Sequence, residues 1–145
     1  MDGRFAPRLT MVTLGVADVA ASTAFYERLG FVKSSASNDS VTFFRLEGTV
    51  LGLFGRADLA ADAGVENSAP GFSGVSIAQN FNSEADVDAA FAHAIACGAT
   101  ATKPPEKVFW GGYSGYFADP DGHLWELAFN PFAPNDENGF MPLPA

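Results

Sequence analysis

Few residues in this chain could do chemistry, and the most telling is Glu126. It sits inside the apolar run Leu124-Trp125-Glu126-Leu127-Ala128-Phe129 and not in a turn. A carboxylate among apolar side chains loses water, so its pKa rises and it becomes a proton acceptor or an anchor for a cation. The plainer reading is a salt-bridged or solvated carboxylate at a rim. The two histidines belong elsewhere, His93 in a helical stretch and His123 after the turn Asp119-Pro120-Asp121-Gly122. In that turn Pro presets φ and Gly supplies a positive φ, so no catalytic role is needed. Cys97, the one cysteine, closes an apolar helix and reads as a small core residue before a nucleophile. In the stretch from Phe109 to Phe117, Trp110 and Tyr113 could stack on a flat or cationic ligand. The same aromatics could equally form a lid over the core.

The elements that must position these groups occur twice. Residues 9–54 read as a β-branched run, a helix ending in Leu29-Gly30, and three short apolar runs. Residues 72–129 repeat that order, with a run at 73–78, a helix ending in Cys97-Gly98, and three further runs closing at Phe129. Asp18 and Ser83 are the expected N-caps. The expected apolar stripes are Ala21, Phe25 and Leu29 on the first helix and Val87, Phe91 and Ile95 on the second. Strand alternation puts Val12, Leu14, Val16, Leu51, Leu53, Val75, Ile77, Trp125, Leu127 and Phe129 toward the helices. Met11, Thr13, Gly52, Phe54, Gly74, Ser76 and Glu126 fall on the opposite side, a curved wall lined by small and mixed residues. Residues 55–71 connect the modules, with a helical turn expected at 58–63. The tail, 131–145, should wrap the surface or stay mobile.

Composition narrows the function. A chain of 145 residues with 48% hydrophobic and 17% charged residues can bury a core without staples. A formal net charge of −9 excludes nucleic acid and anionic membrane as partners, which need basic surfaces. No apolar run is long enough to span a bilayer, and Met1 to Arg8 lacks the apolar core of a signal peptide, so a cytoplasmic location is expected.

Three segments carry a resemblance: Val12-Thr13-Leu14-Gly15-Val16-Ala17-Asp18, Phe25-Tyr26-Glu27-Arg28-Leu29-Gly30-Phe31, and Asp119-Pro120-Asp121-Gly122-His123-Leu124-Trp125-Glu126-Leu127. In this order and separation they resemble the vicinal oxygen chelate superfamily, the glyoxalase/bleomycin resistance/dioxygenase fold, over about residues 9–130. The resemblance implies an α+β chain of two βαβββ modules forming an incomplete mixed barrel, a cup with helices on its convex side and a shared cleft. In metal-dependent members, four positions on the cup face hold His, Glu or Gln ligands. Here those positions are Met11, Gly52, Gly74 and Glu126, so only one offers a donor suited to a hard divalent ion.

No metal and no cofactor are therefore expected. The reading is a single domain, metal-free, that binds a small molecule against Met11, Thr13, Gly52, Phe54, Gly74, Ser76, Trp110, Tyr113 and Glu126, with Glu126 the candidate catalytic group. A homodimer is expected, since small sheets of this kind cover their edges by pairing. The alternatives are a lyase, isomerase or dioxygenase of the same superfamily with a degenerate or unusual metal site, and a domain serving only association.

Overall fold

The computed structural model describes residues 5–145; the start of the opening segment, Met1 to Arg4, lies outside them. The chain is α+β and divides into two compact units, the first running through Ser68 and the second from Ala69 onward. The boundary falls inside the expected connector.

In the first unit β1 (Met11–Val16) leads into α1 (Val19–Leu29), then β2 (Val41–Arg45), β3 (Val50–Gly55) and α2 (Arg56–Ala63). The sheet order is β1-β3-β2, with β1 parallel and β2 antiparallel to β3. The first of the three runs expected after α1 is reduced to an isolated bridge between Lys33 and Phe44. Asp18 caps α1 by accepting from the Ala21 N–H at 3.0 Å. Gly30, at φ 121°, ends it, and the Phe31 N–H reaches back to the Tyr26 carbonyl, the pairing that a glycine past the last turn permits.

The buried face of α1 differs by one position from the expected stripe. Ala21 is exposed, whereas Ser22, Thr23, Phe25 and Tyr26 are buried. Tyr26 stacks on Phe31 and tilts against Phe44, and Phe31 meets Phe44 edge-on. Phe25-Tyr26-x-x-Leu29-Gly30-Phe31 is thus a core motif. Its aromatics close on Phe44, Leu51 and Leu53, all nearly inaccessible, and each such side chain stabilises the fold by roughly 1.5–3 kcal/mol. A polar link runs alongside. The Thr23 hydroxyl donates to the Val19 carbonyl at 2.6 Å, so its 2.7 Å contact with Thr42 is donated by Thr42. The Ser22 hydroxyl, buried on the same helix face, has no hydrogen-bond partner.

In the second unit β4 (Ser76–Phe81) is followed by α3 (Glu84–Ala96), β5 (Thr100–Lys107), β6 (Tyr113–Ala118) and β7 (Leu124–Phe129), in sheet order β4-β7-β6-β5. This is the full βαβββ arrangement. Ser83 caps α3 by accepting from the Asp86 N–H at 3.0 Å. The face of α3 turned inward is Val87, Ala94 and Cys97 at its end, with Phe91 half-buried, while Ile95 is 38% exposed. Cys97 is buried beside His93, 3.6 Å from its Nε2. Phe117 and Trp125 stack beneath the helix, and Leu127 is buried there as expected. Val75 is not part of this core. It precedes β4 and is 59% exposed.

The tail is fastened to the second unit. Phe132 lies against Gly111, where a Cβ would meet its ring at 2.7 Å. The Asn135 amide donates to the Asn80 carbonyl on edge strand β4 at 2.9 Å. Asp136 closes a turn by accepting from the N–H groups of Asn138 and Phe140, and Met141 Sδ then lies 3.7 Å from Asn80 Nδ2.

Candidate ligand-binding site

Each sheet has one face occupied by a long helix and another that is not. In the first unit Thr42, Phe44, Leu51 and Leu53 are on the α1 side, which fixes Met11, Thr13, Gly52, Phe43 and Phe54 on the other. Thr13, Gly52 and Phe43 are successive partners across β1, β3 and β2. At the far end of this face α2 closes in, since a Cβ on Gly15 would press on Arg56 and Leu59 at 3.2 and 3.3 Å. Gly52 does not leave a hole. A Cβ there would lie 3.2 Å from Thr13 Oγ1 and 3.5 Å from Met11 Sδ, so these two side chains already fill the space that a ligand residue would need.

In the second unit the helix-free face is built from Ser76, Ala78 and Asn80 on β4, Leu124, Glu126 and Ala128 on β7, and Ser114, Tyr116 and Ala118 on β6. Ala78, Glu126 and Tyr116 are successive partners across the three strands. Tyr116 stands directly across from Glu126 on the neighbouring strand. Burial first, then the negative charge of Glu126, raises the Tyr116 pKa above its ordinary value of 10.0. Glu126 is half-buried. The ion pairs formed among the described residues, Lys103 with Glu106 and Lys107 with Glu84, do not include it.

Three of the expected site residues are placed differently. Gly74 lies before β4 with φ 78°, and a Cβ on it would touch nothing. The strand begins at Ser76 and runs on through the polar residues Gln79 and Asn80, which are still paired to β7. Ser76, two residues ahead of the partner of Glu126, is the counterpart of Met11, two residues ahead of the partner of Gly52. Tyr113 faces α3, where its hydroxyl donates to Asp88 Oδ1 at 2.7 Å; that bond is the main reason its pKa is raised. Trp110 sits in the tight turn joining β5 to β6, three residues before β6 begins, and folds back over Gly112.

Two residues on these faces escaped the sequence reading, Phe43 and Tyr116. They occupy equivalent places, each beside the last-strand residue of its unit, Gly52 or Glu126. A signal for the register did exist. Met11 lies seven residues before the cap Asp18 (18 − 11), and Ser76 lies seven before the cap Ser83 (83 − 76).

On this register the ligand positions that the resemblance implies fall on Met11 and Gly52 in the first unit, a thioether and no side chain, and on Ser76 and Glu126 in the second, a hydroxyl and one carboxylate. Neither pair suits a divalent ion, which needs several oxygen or nitrogen donors from the protein. Among the described residues no group of three His, Cys, Asp or Glu could hold a metal. His93 is on α3, and His123 follows the β6–β7 turn, where buried Asp119 accepts from the N–H groups of Asp121 and His123. No helix among the described residues is long and apolar enough to cross a membrane.

Residues 8–127 match the model of the Glyoxalase/Bleomycin resistance protein/Dioxygenase superfamily. Among solved structures the chain is similar to a glyoxalase-related enzyme from Fulvimarina pelagi, at 33% identity and TM-score 0.86, covering 97% of this chain and 100% of that one. It is also similar to a glyoxalase/bleomycin resistance protein/dioxygenase from Nocardioides, at 26% identity and TM-score 0.74 over 99% and 93% of the two chains. A lactoylglutathione lyase from Agrobacterium tumefaciens shares the fold at 22% identity and TM-score 0.67, over 86% and 95%. An uncharacterized protein of Mycobacterium bovis is 48% identical over 42 residues, which span 29% of this chain and 28% of that protein.

Proposed function

The chain belongs to the Glyoxalase/Bleomycin resistance protein/Dioxygenase superfamily, and on that premise we propose that it binds a small organic molecule, without a metal, on the helix-free face carrying Glu126. One observation carries this reading. The positions that the resemblance assigns to metal ligands are occupied by Met11 and Gly52 in the first unit and by Ser76 and Glu126 in the second, and the room at Gly52 is already taken by Met11 and Thr13. A face with one carboxylate, one phenol, the neutral polar groups of Ser76, Asn80 and Ser114 and otherwise apolar side chains suits an organic ligand better than an ion. The homodimer and the cytoplasmic location expected from the sequence belong to the same reading, and light scattering on the purified protein decides the first.

A catalytic role is favoured by a single finding, the description of the Fulvimarina pelagi relative as a glyoxalase-related enzyme. In this chain it would rest on Glu126 as the base, with Tyr116 as its neighbour across the strand pair.

A thermal-shift screen of the full chain tests the binding reading. A ligand at about 100 times its Kd adds about 2.7 kcal/mol to stability, enough to raise Tm by several degrees. The expected result is stabilisation by organic compounds, unchanged by a chelator. Stabilisation by a divalent ion, reversed by the chelator and lost in Glu126→Ala, would overturn it.

A further inference from the structure

Resting on that reading, we propose that Glu126 and Tyr116 form a recognition pair for an organic ammonium, a primary amine carrying an apolar body. Three observations converge. Glu126 is a half-buried carboxylate outside the ion pairs Lys103–Glu106 and Lys107–Glu84, so among the described residues it is open to a cationic partner. An ammonium there gains a charge-assisted hydrogen bond. Tyr116 is the partner of Glu126 across β6 and β7, so it borders the carboxylate on one side. The remaining directions suit the three donors of an ammonium.

The surroundings decide between an organic and an inorganic cation. Along β7 the neighbours of Glu126 on this face are Leu124 and Ala128, and across the sheet toward β4 its partner is Ala78. None of these three supplies an oxygen, and the other side-chain oxygens of the face, on Ser76, Asn80, Ser114 and Tyr116, are neutral, whereas a calcium ion takes six to eight oxygen ligands, carboxylates prominent among them. Leu124 and the two alanines instead offer apolar surface to the carbon skeleton of an amine. Tyr116 adds a ring edge or face on the remaining side, where a cation is also attracted. Tyr116 is therefore a wall of the site beside the carboxylate.

The test is isothermal titration of the full chain with benzylammonium chloride, benzyl alcohol as its neutral isostere, and calcium chloride, on the parent, Glu126→Gln and Tyr116→Phe. The expected result is saturable binding of benzylammonium only. Its affinity should fall about tenfold or more in Glu126→Gln, as for loss of a charge-assisted hydrogen bond. In Tyr116→Phe, which keeps the ring, the loss should be only about threefold. Circular dichroism showing both variants folded keeps the comparison valid, and the amine-to-alcohol affinity ratio is a readout that a merely structural defect would not move. Equal binding of alcohol and amine, no binding of the amine to the parent, or an unchanged affinity in Glu126→Gln would each overturn the pair as an ammonium site. Failure of the broader reading looks different: there a divalent ion binds through Glu126, whereas here other organic compounds still bind without one.

Discussion

Glu126 and Tyr116 are readable together only once strand pairing is known. The carboxylate was legible in the sequence because it interrupts an apolar run, and alternation alone assigned it to the face away from the helix. Tyr116 was not, because Gly111, Gly112 and Gly115 leave the start of β6 open to any parity, and the obvious candidates Trp110 and Tyr113 precede it. The phenol makes a specific prediction. The fold favours its protonated form, so the folded pKa lies above the ordinary 10.0 of the unfolded chain. The associated stability is complete below pH 10 and is lost as pH rises through the folded value. An ultraviolet titration should show one tyrosine whose alkaline midpoint moves down toward the ordinary value in Glu126→Gln; a midpoint that stays put would detach Tyr116 from the carboxylate. A second prediction concerns Ser22. Its buried hydroxyl has no partner, so Ser22→Ala should stabilise the protein by about 1 kcal/mol in chemical denaturation. Destabilisation of that size would mean the hydroxyl is satisfied after all.

At the scale of elements, caps were the most legible feature and helix faces the least. Asp18, Ser83, Gly30 and Cys97 mark ends by local chemistry that needs no tertiary context. The faces were shifted because alanine is apolar enough to join a stripe yet small enough to sit in water. Ala21 is exposed while Ser22 and Thr23 are buried, tied down in the case of Thr23 by its bond to Thr42. Likewise the expected stripe continues to Ile95, but the helix turns Ala94 and Cys97 inward. The corrected faces predict unequal costs. Phe25→Ala should destabilise by about 3–5 kcal/mol, whereas Ile95→Ala should cost no more than about 1 kcal/mol. Urea denaturation of both variants checks this, and comparable losses would restore the simpler stripe. The β4 register was misjudged for a related reason. Gln79 and Asn80 are polar but paired to β7, and Asn80 is further held by Asn135 and near Met141, contacts 55 and 61 residues away that no local pattern announces.

At the scale of the molecule, the repeat was visible from composition and punctuation alone, and its two copies diverge in an informative way. The second keeps all four strands, and the first reduces one to the Lys33–Phe44 bridge. Both place an aromatic, Phe43 or Tyr116, beside the last-strand residue, yet only the second places a carboxylate there. With a net charge of −9, the chain as a whole also attracts cations over anions at long range. Binding of an organic ligand without a divalent ion, as proposed for this superfamily member, is tested by elemental analysis of the full chain after incubation with Ni, Zn, Fe and Mn salts and dialysis. Well under one equivalent of any of them per chain is expected, the same in the parent as in Glu126→Ala; close to one equivalent in the parent, lost in Glu126→Ala, would overturn the metal-free proposal.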